Sequence, residues 1–197
     1  MNQRLEFFFD YRSPYSYLAH SQLGGLDAEV VYRPFEILGL MDKVGNVPTS
    51  IICKPKNRYL GADLQRWVQA YGVPFQRHPQ MMQIDARRLL RATLAADEMG
   101  RAAPAVAAIF AAFWGTGAPL TSPAEVVAVL NGAGVERPDL AAWIDDPSLD
   151  AALDRATEAA AERGVFGAPT ILIGEDMYFG NDRLHFVRER LARQAVA

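Results

Sequence analysis

Strand-like sequence is confined to the two ends of this chain, and the long middle, residues 36–163, carries helical patterning instead. That arrangement constrains the fold more than any single motif. One sheet has to be completed by segments far apart in sequence, with a helical block between its two halves. Leu5-Glu6-Phe7-Phe8-Phe9 is short, aromatic and mostly apolar, the pattern of a buried strand. Ser13-Pro14 follows, and the pair suits a helix start: the hydroxyl caps free N–H groups, and proline at the first helical position forfeits no hydrogen bond. Leu18, Ala19 and Leu23 give that helix an apolar stripe, and Gly24-Gly25 ends it. Glu29 to Phe35 (EVVYRPF) reads as a second strand, so the first 35 residues predict a parallel strand–helix–strand unit.

In the middle, Leu60, Leu64, Trp67, Val68 and Tyr71 fall at helical spacing before Gly72. Val106, Ile109, Phe110, Phe113 and Trp114 form one wide apolar face. Ser122-Pro123-Ala124-Glu125 is a capping-box pattern leading into Val126 to Leu130. Leu140, Trp143 and Ile144 mark a short helix, and Leu149, Leu153 and Ala156 begin a longer one that stops at Gly164. Strand patterning then returns. Thr170 to Ile173 is β-branched and apolar, Gly174-Glu175-Asp176 turns, and Met177-Tyr178-Phe179 pairs back. Gly180-Asn181-Asp182 opens a final helix with Leu184, Val187 and Leu191 inward. The expectation is an α/β sheet domain, residues 1–35 and 164–197, interrupted by an all-helical insertion over residues 36–163.

Several function classes drop out on composition. Half of the 197 residues are hydrophobic and 22% are charged, which argues against long disorder. Twenty basic residues nearly balance 23 acidic ones, which disfavours a general electrostatic footprint for nucleic acid or an anionic membrane while leaving room for a local basic patch. Cys53 is the one cysteine, which excludes an intrachain disulfide, a C-x-x-C redox pair and a thiolate zinc cluster. His20, His78 and His185 show no metal-ligand spacing. No apolar run reaches the roughly 20 residues of a membrane span, and Met-Asn-Gln-Arg followed by a strand is no signal peptide. A reducing cytoplasm is the expected location.

Ser13-Pro14-Tyr15-Ser16 stands where the first strand turns into the first helix. Thioredoxin-like oxidoreductases keep C-P-x-C at that junction, because a helix N-terminus lowers a thiol pKa. Here both cysteine positions are serines, so disulfide exchange is excluded while the electropositive helix end remains. Val165-Phe166-Gly167-Ala168-Pro169-Thr170 precedes the late strand, where such folds place a cis-proline facing the first helix. Each motif alone also fits a plain helix cap and an ordinary trans proline.

Together with F-D-Y-R-S-P-Y-S-Y-L-A (Phe9 to Ala19), G-N-V-P (Gly45 to Pro48), L-Q-R-W-V-Q-A-Y-G-V-P (Leu64 to Pro74), G-V-F-G-A-P-T (Gly164 to Thr170) and F-G-N-D-R-L (Phe179 to Leu184), they carry a resemblance. The chain resembles the 2-hydroxychromene-2-carboxylate isomerase family, bacterial relatives of the kappa-class glutathione transferases, over almost its whole length. The resemblance implies a DsbA-like thioredoxin domain with a helical insertion, a homodimer, and glutathione as cofactor. It implies an enzyme that interconverts 2-hydroxychromene-2-carboxylate and trans-o-hydroxybenzylidenepyruvate in aromatic hydrocarbon breakdown, through reversible thiolate addition.

The family's key serine maps onto Ser13, whose implied role is to hydrogen-bond the glutathione sulfur and favour its thiolate. A hydrogen bond to a charged group contributes about 1.5–3 kcal/mol and a helix terminus about 0.3–1. At about 1.36 kcal/mol per unit, these terms lower a thiol pKa from near 8.5 by about one to three units. Ser16, one turn further in, reads as a hydroxyl turned onto its own backbone. The backbone of Ala168 beside Pro169 would pair with the cysteinyl unit as an added strand. Asn181 and Asp182 match the positions holding the γ-glutamyl end, and Asn46 and Lys56 match the other glutathione contacts. Asn46 also fits a turn former, Lys56 a solvated loop charge, and Asp182 a complement to the helix dipole. Arg183, Arg87 and Arg88 are carboxylate partners for the small aromatic substrate, or else members of local ion pairs and a solvated helix face. Trp67 and Trp114 read as core, and Cys53 as a half-buried thiol. Two rival functions are a kappa-like transferase that consumes glutathione and a redox-inactive binding module.

Overall fold

The computed structural model describes residues 3–48 and 52–194. Its sheet begins with β1 (Arg4–Phe9), followed by α1 (Pro14–Leu23) and β2 (Glu29–Pro34). The helical block holds α2 (Ile37–Lys43), α3 (Lys54–Tyr71), α4 (Ala86–Glu98), α5 (Ala102–Phe110), α6 (Pro123–Gly132), α7 (Leu140–Ile144) and α8 (Pro147–Glu162). The chain then returns to the sheet through β3 (Thr170–Ile173) and β4 (Asp176–Phe179), and closes with α9 (Leu184–Gln194). A tight turn over Asn181–Arg183 precedes α9, so the last helix starts slightly later than its glycine signal indicates.

The sheet order is β2-β1-β3-β4. β1 and β2 are parallel, with Phe7 opposite Tyr32, as the strand–helix–strand pattern requires. On its other side β1 pairs antiparallel with β3, Phe7 opposite Ile171, and β3 pairs antiparallel with β4. The central strand is buried on both faces because successive side chains point to opposite sides. Leu5, Phe7 and Phe9 enter a large cluster with Leu90, Val106, Phe110, Ile171, Leu184 and Val187. Phe8 enters a smaller one with Phe35, Leu40, Ala160, Val165 and Leu172. The large cluster runs without a break from the sheet into the helical block.

Helix ends follow their sequence signals. Ser122 Oγ accepts the Glu125 N–H while Glu125 reaches back to the Ser122 N–H at 2.8 Å, the reciprocal capping box. Gly72 closes α3 with φ +63°, a left-handed conformation that favours glycine. Beyond α5 the backbone widens into a π-helical turn, Ala111–Thr116, closed by Gly117 at φ +67°. This turn aims Trp114 Nε1 at the Tyr11 carbonyl, 2.8 Å away, and stacks the indole on Phe75. Trp114 is therefore core, while Trp67 is half-buried against Tyr71.

A second buried polar contact, beside that of Trp114, ties the loop after β1 to the helical block. Tyr11 Oη and Thr93 Oγ1 of α4 lie 2.6 Å apart, both residues fully buried. Thr93 also donates to the Leu89 carbonyl at 3.3 Å, so its single proton is used and the phenol is the donor to Thr93.

Candidate active site

Ser13 is the cap of α1, and its hydroxyl is engaged on both sides. Oγ accepts the Ser16 N–H at 3.2 Å and donates to the Ala168 carbonyl at 3.0 Å. The Ala168 carbonyl, expected to pair with a ligand, thus already has one donor in Ser13. The loop delivering Ser13 is pinned from below. Fully buried Asp10 accepts the Arg12 N–H at 2.8 Å and the Ile37 N–H at 2.9 Å, and the Arg12 guanidinium bridges Asp10 and Glu36. Burial works against the Arg12 charge, but the two carboxylates outweigh it and raise its pKa.

Ser16 departs from its reading. Its hydroxyl is fully buried one turn inside α1 and has no hydrogen-bond partner among the described residues. No sequence signal distinguishes an orphaned hydroxyl from one bonded to its own helix.

The facing wall is the loop before β3. The Ala168–Pro169 peptide is cis, and the Pro169 carbonyl accepts the Gly180 N–H at 2.9 Å. That bond sets Asn181 and Asp182 beside the proline. Asn181 is buried, its amide donating to Tyr71 Oη at 3.4 Å while the phenol donates to the Asn181 carbonyl at 2.9 Å. Asp182 is half-exposed and forms an ion pair with its neighbour Arg183. Asn46 donates to the Phe166 carbonyl at 2.8 Å and accepts the Val47 N–H at 2.8 Å. It thus acts as a turn former and as a brace for the 166–168 loop. Lys56 lies on the exposed surface of the first turn of α3, and none of the bonds just described includes it.

Ser13, Ala168, Pro169, Asn181 and Asp182 are thus joined by successive bonds into one neighbourhood, with Asn46 attached through Phe166. Two phenols fasten α3 across it. Besides Tyr71, Tyr15 donates to the Asp63 carboxylate at 2.6 Å, and Tyr59 donates to the other oxygen at 3.2 Å. Burial first, and then the Asp63 carboxylate, push the Tyr15 phenol well above its ordinary pKa. The helical spacing of Tyr71 was visible in sequence, but neither phenol's partner was.

Arg87, Arg88 and Arg183 each stand in an ion pair. On α4, Arg87 holds Asp150 at 2.9 Å and Asp154 at 2.8 Å, and Arg88 holds Asp145 at 2.9 Å. Arg91, unmarked by any motif, joins Asp145 and Asp150 and is the most buried of the three. Cys53 is half-buried at the start of α3. No group of three or more His, Cys, Asp or Glu that could hold a metal ion occurs among the described residues. No helix among them is long and apolar enough to cross a membrane.

The model of the DSBA-like thioredoxin domain matches residues 4–192. Over 194 residues the chain is 31% identical to the 2-hydroxychromene-2-carboxylate isomerase of Pseudomonas putida, covering 96% of this chain and 94% of that one. The chain belongs to the 2-hydroxychromene-2-carboxylate isomerase family. A solved structure of a selenomethionine 2-hydroxychromene-2-carboxylate isomerase superposes with a TM-score of 0.86 at 30% identity, covering 98% of this chain and 96% of that one. Glutathione S-transferase kappa 1 of Caenorhabditis elegans is 26% identical over 208 residues, covering 95% of this chain and 90% of its own. Within the isomerase family's thioredoxin fold, this chain carries Ser13 as the cap of the first helix and Ser16 one turn inside it.

Proposed function

We propose that this chain is a glutathione-dependent isomerase that interconverts 2-hydroxychromene-2-carboxylate and trans-o-hydroxybenzylidenepyruvate. The observation that carries the proposal is the Ser13 hydroxyl at the start of α1, 3.0 Å from the Ala168 carbonyl, in a chain with full-length identity to isomerases of that name. When bound, glutathione supplies a sulfur nucleophile that adds reversibly to the conjugated chain of the opened substrate and is recovered unchanged. Everything else falls to the protein's own residues.

Those residues fit a cysteinyl tripeptide. Ser13 offers one hydroxyl proton at the positive end of a ten-residue helix, where negative charge is favoured. Ala168 offers backbone beside a pinned proline. Asp182, half-exposed, suits the γ-glutamyl ammonium, and the adjoining turn with Asn181 suits its carboxylate. Asn46 braces the loop that carries Ala168, and the Lys56 ammonium suits the glycyl carboxylate. The absence of a cysteine at either end of Ser13-Pro14-Tyr15-Ser16 removes disulfide exchange, leaving stabilisation of a ligand's sulfur as the use of this helix end. A small aromatic carboxylate as substrate, a homodimer and a cytoplasmic location complete the reading.

Absorbance of 2-hydroxychromene-2-carboxylate is followed with gel-filtered protein, with and without glutathione. Fast approach to the isomer equilibrium only with glutathione, none being consumed, is the expected result. The Ser13→Ala protein should retain at most a small fraction of that rate. Unchanged turnover in Ser13→Ala would remove Ser13 from its role. The kinship with kappa transferases supports a second reading, in which glutathione is conjugated to an electrophile. Stoichiometric loss of glutathione separates the two.

A further inference from the structure

We infer that Ser13 is held in an inactive hydrogen bond by the Ala168 carbonyl, and that a ligand's own amide N–H releases it. The inference rests on the glutathione reading and concerns how the same site is switched on. A serine hydroxyl has one proton. In this structure that proton lies on the Ala168 carbonyl at 3.0 Å, while the oxygen accepts the Ser16 N–H at 3.2 Å. Ser13 is 8% exposed, so water has little access to its hydroxyl, and Ala168 is half-buried. A sulfur anion placed beside Ser13 therefore meets a hydroxyl whose proton is already committed. Turning that hydroxyl toward the sulfur strips the half-buried Ala168 carbonyl of its donor, and the loss of that bond resists the turn.

A cysteinyl ligand running alongside residue 168 brings a donor of its own. Its amide N–H takes the carbonyl, the carbonyl stays paired, and the Ser13 proton is free to face the sulfur. The Ser16 N–H keeps its hold on the oxygen throughout, so only the proton's direction changes. The site thereby selects a chemical class: a thiol carried by a residue with its own secondary amide, aligned as an added strand. Small thiols without that amide leave Ser13 on the carbonyl and gain little acidity.

The readout is the carbonyl carbon of Ala168, followed by carbon-13 NMR in protein labelled at alanine carbonyls. Wild type and Ser13→Ala are compared free and at saturating glutathione, with binding measured by calorimetry. In the free proteins the substitution should move the Ala168 signal, since it removes the donor. At saturation the two signals should coincide, because Ser13 no longer touches that carbonyl. A shift on substitution that is as large with glutathione as without it would show Ser13 still on Ala168 and overturn the inference. Glutathione failing to bind at millimolar concentration would instead overturn the functional reading beneath it. Ser13→Gly, which accommodates the cap backbone, repeats the comparison if Ser13→Ala folds poorly.

Discussion

The bond between Tyr11 and Thr93 joins the site-bearing loop to the helical block, and its two ends are not equivalent. Thr93→Val keeps the shape of the side chain but leaves the Tyr11 phenol, fully buried, with no acceptor. A buried donor left unpaired costs about 1–3 kcal/mol. Tyr11→Phe removes the donor instead, and Thr93 still donates to the Leu89 carbonyl at 3.3 Å. That change should cost only the net value of one hydrogen bond, about 0.5–1.5 kcal/mol. Removing both hydroxyls leaves an apolar contact of the same shape, so the double variant should lie within about 1 kcal/mol of wild type. The predicted order places Thr93→Val as the most damaging and the double variant as less damaging than Thr93→Val alone. Urea unfolding followed by far-ultraviolet circular dichroism measures all four proteins, and an unchanged m-value confirms that midpoints report stability. The coupling energy should be about 1–3 kcal/mol. Effects that add within about 0.5 kcal/mol would refute the assignment of donor and acceptor.

Ser16→Ala removes a buried hydroxyl that has no partner, so thermal denaturation should show a melting temperature equal to wild type or higher, by up to about 4 °C for about 1 kcal/mol in a chain of this length. A fall of several degrees would mean that the hydroxyl has a partner in solution. Glu6 accepts from Arg33 at 2.9 Å and from Arg163 at 3.0 Å. Burial raises its pKa, but the two guanidinium bonds and charges outweigh burial and the net shift is downward. A lowered pKa means stability that is present above the ordinary carboxylate range and lost as pH falls through the folded value. Glu6→Gln should therefore cost about 0.5–1 kcal/mol at pH 7, the half-exposed arginines being screened, and progressively less below about pH 4. A cost that stays constant across that range in urea unfolding would show that charge has no part in it.

What was legible in the sequence was whatever depends on near neighbours along the chain. The capping box at Ser122, the serine cap at Ser13, the glycine stop after Tyr71 and the hairpin at Gly174 are all set within a few residues, and each stands where it was expected. The central strand was legible too, because burial on both faces leaves a continuous apolar run such as Phe7-Phe8-Phe9, whereas its antiparallel pairing with β3 was not. Polar partners were not. Tyr15 meets Asp63, Tyr71 meets Asn181, and Tyr11 meets Thr93 across 48, 110 and 82 residues. Helical periodicity tells which side of α3 faces inward, yet a phenol's partner depends on how two packed elements slide past each other. Asn46 illustrates the middle case: its turn was readable locally, its bond to the Phe166 carbonyl only in three dimensions.

The widened turn at Ala111–Thr116 sets where this chain can change length. Each residue advances an α-helix by about 100° of rotation, so a π turn is a one-residue phase slip absorbed in place. Deleting a single residue there would swing Trp114 roughly a quarter-turn away from the Tyr11 carbonyl and off Phe75, undoing contacts on both sides at once. The outward connection at residues 136–138 is solvent-exposed and absorbs the same edit cheaply. Insertions and deletions among descendants of this sequence should accordingly pile up in the outer loops and leave the interval from 111 to 116 at fixed length.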